Sequence, residues 1–215
     1  MNPFPIILSS PSGGGKTTIA RLLLERRTDV GYSVSCTTRA PRNGEAHTKD
    51  YFFVSRDDFA SMRERGAFAE CAEVHGNWYG TLRREVERVL QQDRHVLMDI
   101  DVQGARQFQA AYPESVTIFL LPPSADALLQ RLSLRQTESA DEFRMRVRAA
   151  REELRAAVSY QYAVVNDDLE AAYGTVSSII DAEAVRHARH RQLTSRVTAL
   201  VEELDRQLLQ LTTPA

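Results

Sequence analysis

Ser9-Ser10-Pro11-Ser12-Gly13-Gly14-Gly15-Lys16-Thr17-Thr18 is the stretch whose reading decides the fold. The run before it, Phe4-Pro5-Ile6-Ile7-Leu8, is short and apolar, the pattern of a buried strand. After it, Ile19, Leu22, Leu23 and Leu24 recur among Arg21, Glu25 and Arg26, the pattern of an amphipathic helix. A strand, a glycine-rich turn and a helix N-terminus together make an anion cradle. Glycines reach positive φ and carry no Cβ, so consecutive backbone N–H groups can converge on a phosphate. Lys16 is then placed to reach the β/γ phosphates of a nucleoside triphosphate, and the Thr17 hydroxyl to coordinate Mg²⁺. Ser10 stands where the pattern G-x-x-x-x-G-K-[ST] has its first glycine, a position a serine can fill if its φ is negative. The competing reading is a solvated Gly/Ser loop with a chance Lys-Thr pair. The glycine, lysine and threonine offsets between a strand and a helix favour the cradle.

The chain has 215 residues, enough for one large domain with inserted lobes and a sizeable core. With 43% hydrophobic and 26% charged residues it is composed like an ordinary globular protein. A formal net charge of −2 gives no basic footprint, so nucleic acid is not an expected partner and any anionic ligand must be held by local arginines. Cys36 and Cys71 have no metal-ligand spacing and are expected to be reduced, buried thiols of a cytoplasmic protein. No run approaches a membrane span, and Met-Asn-Pro-Phe-Pro lacks a basic n-region, so neither membrane nor signal peptide is expected.

Further along, residues 31–36 alternate weakly and predict a second strand, and residues 39–50 are rich in turn formers and predict a loop. Short strands are expected at 51–54, 68–74 and 77–81, with helices at 56–66, closed by a glycine, and 82–92. From residue 95 the character changes. His95-Val96-Leu97-Met98-Asp99-Ile100-Asp101, residues 116–121 and residues 163–166 are apolar strands, with helices at 102–111, 124–134 and 142–159 between them. Apolar strands alternating with helices predict an α/β fold with a parallel sheet flanked by helices. Residues 33–94 then form a mixed α+β lobe inserted into a core of 1–32 and 95–190. The chain from 172 to 211 has a helical pattern: Val176, Ile179, Ile180 and Val185 suggest a cover for the sheet. Leu193, Val197, Leu200, Val201, Leu204 and Leu208 continue a stripe whose role is either core packing or a face for a partner or for self-association.

Four constellations carry chemistry. Asp99 and Asp101 end a core strand, where ligand crevices of open α/β sheets form and where an acidic residue joins a Mg²⁺–nucleotide site; strand-end aspartates also serve as helix N-caps. Arg39, Arg42, Tyr51 and Tyr79 offer two guanidiniums and two phenols, a set that binds one phosphate if it converges. Glu70, Ser35 and Thr81 offer one carboxylate and two hydroxyls. A carboxylate takes both N1–H and N2–H₂ of guanine while a hydroxyl donates to O6, and adenine lacks that donor pair. Finally, Arg131, Arg135, Arg144, Arg146 and Arg148 flank a polar segment between two helices, which looks like a mobile cover carrying arginines, about 131–148. Arg144, Arg148, Arg151 and Arg155 share one stripe, the pattern of an exposed face; Arg146 lies on another and is the better candidate for the site.

The sequence resembles the guanylate kinase family, in its bacterial form, over residues 4 to about 190. The resemblance rests on SSPSGGGKTT (9–18), TTRAPRNGEAHTKDYFFV (37–54), FAECAEVHGNWYGT (68–81), LMDIDVQGA (97–105) and VVNDD (164–168). It implies ATP-dependent phosphorylation of GMP, and with it dGMP, to the diphosphate with Mg²⁺. It implies a P-loop core, a GMP-binding lobe and a small helical lid that close together. Position by position, Arg39, Arg42, Tyr51 and Tyr79 match GMP-phosphate ligands, and Ser35, Glu70, Thr81 and Asp101 match guanine-recognition positions. Ser10, Pro11, Ser12, Gly13, Gly14, Gly15, Lys16, Thr17 and Thr18 match the ATP loop, Thr17 and Asp99 the metal site, and Arg131, Arg135 and Arg146 the lid arginines. Asn166 matches a loop near the adenine. Lys16, Arg39, Arg131, Arg135 and Arg146 are the residues the resemblance marks as catalytic. Gln136 departs from the family's Arg-Gly in the lid, Leu82 from a commonly polar residue, and the helix beyond about 190 lies outside the shared motifs. A non-catalytic guanylate-kinase-like binding module, another nucleotide kinase and a GTPase are the alternatives; intact Lys16, Thr17 and Asp99 argue against the first, and Glu70 with Arg39 and Arg42 against the others.

Overall fold

The computed structural model describes residues 2–74, 76–133, 140–189 and 192–212, with side chains of the last helix to residue 208. The chain begins with β1 (Pro5–Ser9), α1 (Lys16–Arg26) and β2 (Val30–Tyr32). There follow β3 (Ser35–Thr37), β4 (Phe52–Phe53), α2 (Arg56–Glu64), β5 (Phe68–Val74), β6 (Asn77–Leu82) and α3 (Arg83–Leu90). Next come β7 (His95–Asp99), α4 (Val102–Ala111), β8 (Val116–Leu121), α5 (Ala125–Ser133) and α6 (Ala140–Arg155). The chain closes with β9 (Tyr162–Val165), α7 (Leu169–Ala184) and α8 (Leu193–Thr212).

The core sheet runs β2-β7-β1-β8-β9, with every pairing parallel. Strand periodicity sends alternate side chains of β1 to opposite faces. Ile6 and Leu8 meet Ile19 and Leu23 of α1 and Val176 and Ile180 of α7. Ile7 meets Val86 and Val89 of α3 and Phe108 of α4. With both faces covered, β1 is buried along its whole length, which is why it reads as a continuous apolar run. The register sets Leu8 beside Asp99, so the carboxyl end of β7 lies next to the turn that leaves β1. That is where an open α/β sheet gathers its ligands.

The second sheet runs β4-β3-β6-β5 and packs Phe59 of α2 onto Phe68, Cys36 and Leu82. The single strand expected at 31–36 is in fact two. Val30–Tyr32 pairs with β7 in the core, while Ser35–Thr37 pairs with β4 and β6 in the other sheet. Weak alternation gave no sign of the sheet change at Ser33. Leu82 ends β6 and the helix starts at Arg83, whose inner residues Val86 and Val89 pack on the core sheet. The C-terminal helical pattern is likewise broken, by a short 3₁₀ turn at His187–Arg189. Val185, expected on the sheet, is 70% exposed. Cys36 is buried as expected, whereas Cys71 is only partly so, and both thiols are free. Among the described residues no helix is long and apolar enough to cross a membrane.

Candidate active site

The turn leaving β1 forms the first part of the site. Gly15 is the N-cap of α1 at φ 91 with no side-chain cap; the Thr18 amide turns back to the Gly15 carbonyl at 3.1 Å, and the Lys16 and Thr17 amides at the helix start are the ones placed to meet an external anion. A side chain at Gly15 would be strained there and would collide with the Asn166 amide. Asn166 is buried and donates from Nδ2 to the Gly14 carbonyl at 2.9 Å, bracing the loop from behind. Ser10 is accommodated without positive φ. Its hydroxyl donates to the Pro11 carbonyl at 3.0 Å, and its Cβ fills the space that a Cβ on Gly14 would need, 2.7 Å away. Lys16 donates from Nζ to the Asp99 carbonyl at 3.2 Å, at the carboxyl end of β7.

Two cationic side chains close over this loop. Ser10 through Thr18 share a cavity with Arg131, Arg146, Asp101 and Glu153. Arg131 donates from Nη2 to the Asn166 carbonyl at 3.1 Å, while its buried Nη1 has no hydrogen-bond partner among the described residues. A buried guanidinium nitrogen left unpaired beside a phosphate cradle is in place for an anion. Arg146 donates to the Leu132 carbonyl at 3.2 Å, whereas Arg144, Arg151 and Arg155 are 64–71% exposed, which separates the two stripes of α6 as the spacing predicts. Arg135 and Gln136 lie outside the described residues.

A second cavity is lined by Ser35, Tyr51, Glu70, Tyr79, Asp99 and Asp101, and by Lys16 again. Lys16 and Asp101 therefore border both cavities. Glu70 on β5 is 6% exposed and accepts the Thr81 hydroxyl at 2.7 Å. In this state the Thr81 proton is spent on Glu70, so Thr81 stands behind the carboxylate. Burial pushes the Glu70 carboxyl up to about 7, opposed by the Thr81 hydrogen bond and assisted by the nearby Asp101 charge. Asp101 serves as helix cap, accepting the Gln103 and Gly104 amides of α4 at 2.9 and 2.8 Å, and as cavity wall. Gly104 matters because a Cβ there would sit 2.6 Å from Glu70 Oε2.

Arg39 lies beside this cavity, its guanidinium 5.4 Å from the Tyr51 ring centre, and Arg42 is exposed in the same loop. Tyr51 and Tyr79 meet edge to face at 6.0 Å. Three participants gave no signal in the sequence. Tyr32 donates to Asp99 Oδ1 at 2.6 Å, and its phenol is pushed well up by burial and by that carboxylate. Glu153 of α6 accepts the Ser12 amide at 3.0 Å. Glu45 forms a bidentate pair with Arg39. The first two are tertiary contacts between residue types common on any surface, and the third is a pair local to its own loop. Only Glu45, inside the 37–54 motif, could have been singled out.

A parallel sheet, a phosphate loop and a separate lobe whose cavity opens on the loop lysine define a P-loop nucleotide kinase. The comparisons narrow the class. The family model for guanylate kinase matches residues 2–183. The guanylate kinase of Nitrosomonas europaea is 44% identical over 183 residues, 85% of this chain and 91% of that protein. That of Geobacter sulfurreducens is 44% identical over 194 residues, 90% of this chain and 96% of that protein. The crystal structure of guanylate kinase from Anaplasma phagocytophilum superposes with a TM-score of 0.74 at 35% identity, covering 90% of this chain and 92% of that one. The chain belongs to the guanylate kinase family.

Proposed function

We propose that the chain transfers the terminal phosphoryl group of ATP directly to the phosphate of GMP or dGMP, across the boundary that Lys16 occupies. Family membership carries the activity, ATP:GMP phosphotransfer, and with it the rejection of the binding-module alternative. The observation that carries the division of labour is that the donor cradle and the acceptor cavity share Lys16. The loop from Ser10 to Thr18 holds the triphosphate of ATP through backbone amides and Lys16, and Asn166 braces it. Ser35, Glu70 and Asp101 read the guanine edge, supported by Thr81. Arg39, Arg42, Tyr51 and Tyr79 hold the acceptor phosphate. Arg131 and Arg146 bring charge to the transferring group; Arg135 is assigned there by resemblance alone.

A hydroxyl from Thr17 and a carboxylate from Asp99 are hard oxygen donors, and the described residues contain no cluster of three or more acidic, His or Cys ligands. Such a sparse set suits Mg²⁺, which keeps waters and is shared with substrate phosphates. When bound it would neutralise charge on the donor phosphates. No strong base is required, because the second ionisation of a phosphate monoester lies at about 6 and the acceptor is largely a dianion at neutral pH. What the protein supplies is position and positive charge in a site closed to water.

The free thiols support a cytoplasmic location. On α8, Val197, Leu200, Val201, Leu204 and Leu208 are 50–58% exposed on one stripe, and a second copy of this chain is the occupant we assign to it. Glu203 is paired with Arg206 on the same helix, so the apolar stripe rather than charge carries this pairing. Removing residues 193–215 is expected to halve the sedimenting mass and leave turnover per chain unchanged; an unaltered mass contradicts the pairing.

Lys16→Ala tests the central assignment. Turnover should be lost while GMP binding by calorimetry stays within about twofold, because the loop lysine acts on the donor phosphates. Unchanged turnover overturns it.

A further inference from the structure

The loop after β3 carries the two arginines assigned to the acceptor phosphate, and one carboxylate organises both. Arg39 donates to Glu45 from Nη1 at 2.9 Å and from Nη2 at 2.8 Å, a two-pronged pair. The same Glu45 accepts the Arg42 amide at 2.7 Å, and its own amide returns to the Arg42 carbonyl at 3.0 Å, closing the turn in both directions. The Arg39 and Glu45 side chains are 14% and 20% exposed. The solvated pair Arg144–Asp141, at 71% and 88%, shows what an ordinary surface contact of this chain looks like.

Arg39 is thus held rather than merely paired. Its Nη1 also donates to the Ala40 carbonyl at 2.8 Å, and its guanidinium plane lies over the rings of Tyr51 and Phe53. A guanidinium has five N–H donors, so after these three bonds and its interaction with the Tyr79 phenol it still has a donor to offer a phosphate, in an orientation the carboxylate has fixed. Much of the Arg39 charge is neutralised by Glu45. Its contribution is therefore directional hydrogen bonding, and more of the net positive charge falls to Arg42 and Lys16.

We propose that Glu45 is a positioning residue for the acceptor phosphate, acting through Arg39 and the Arg42 backbone to pre-assemble the phosphate-binding loop. This rests on the reading of that loop as the GMP-phosphate site. Glu45 touches no substrate; it lowers the ordering needed when the phosphate arrives.

The test uses the full chain and the variants Glu45→Gln, Glu45→Asp, Arg39→Ala and the double Arg39→Ala/Glu45→Gln. Glu45→Gln is expected to raise KM for GMP about tenfold, the loss of one charge-assisted pair. KM for ATP, guanosine binding and the melting temperature should hold, because guanosine lacks the phosphate. Glu45→Asp should recover part of the loss. Because Glu45 acts through Arg39 as well as the Arg42 backbone, the double variant should lose clearly less than the sum of the two single losses. A wild-type KM for GMP in Glu45→Gln, additive losses in the double variant, or a parallel loss of guanosine binding and melting temperature each overturn the proposal. Wild-type chain that turns over GMP while Glu45→Gln behaves like it refutes this inference alone. Wild-type chain with no GMP-dependent turnover refutes the acceptor site on which it depends.

Discussion

The two halves of this site are built from different materials. The donor side is mostly backbone: a left-handed glycine, the uncapped amides of α1 and one lysine. The acceptor side is mostly side chain, and its groups are already occupied with one another, Arg39 with Glu45 and Glu70 with Thr81. Backbone amides point at an anion by virtue of the turn alone, so the cradle is set once the chain folds. Side chains have rotamers to lose, and the internal pairs hold them in place before a ligand arrives. The cost of such pairing is that a ligand must either exchange with it or use the donors and acceptors left over.

Substitutions that change only one half should show the difference, and the donor side should be the less forgiving. Gly15→Ala forces an alanine to φ 91 and against Asn166, so kcat/KM for ATP should fall by about a hundredfold or more while guanosine binding is kept. Equal loss on both substrates would mean the halves are not separable. Glu70→Gln replaces an acceptor-only group with one that presents a donor to the guanine edge. KM for GMP should rise about thirtyfold and KM for ATP should not change. Gly104→Ala reaches the same carboxylate indirectly, through a Cβ 2.6 Å from Oε2, and about a tenfold rise in KM for GMP is expected. A silent Gly104→Ala would show that Glu70 can shift without losing the base.

The smallest effect is that of pH. The Glu70 carboxyl lies at about 7 in the empty site, and only its ionised form accepts both guanine donors. Guanosine, which has no phosphate to titrate, should bind several-fold more weakly at pH 6 than at pH 8, and Glu70→Gln should flatten that dependence. The sign for folding is opposite. A carboxyl whose folded-state value is raised above the ordinary 4.5 favours the folded chain below about 4.5, and that contribution is lost as pH rises through about 7. Wild-type stability minus that of Glu70→Gln should therefore fall across this window.

How much could be read in the sequence follows the same division. The cradle was legible because glycines, a lysine and a threonine at fixed offsets between a strand and a helix have few other uses. The parallel core was legible because strands buried on both faces leave continuous apolar runs, as at Ile6, Ile7 and Leu8. In the lobe, local pattern failed at Ser33, where one expected strand divides between two sheets; the change of sheet is decided by pairing partners far along the chain. Arg39, Arg42, Tyr51, Tyr79, Ser35, Glu70 and Thr81 were legible as residue types suited to a phosphate and a guanine edge, but their convergence was not, since Arg39 or Tyr79 alone looks like any surface residue. The contacts of Glu153, Tyr32 and Gly104 were invisible, because each depends on a tertiary approach with no periodicity; Glu45 pairs within its own irregular loop, where no helix or strand period marks the pair. Asp101 was legible twice, as cap and as ligand position, and in the structure it is a helix cap that also lines the cavity.

The most direct test of the account is an ADP-release assay of the full chain with ATP, Mg²⁺ and, in turn, GMP, dGMP, AMP and UMP. Turnover dependent on GMP and dGMP, with AMP and UMP at least about a hundredfold slower in kcat/KM, is the predicted result. No GMP-dependent release, or AMP used as well as GMP, would contradict it.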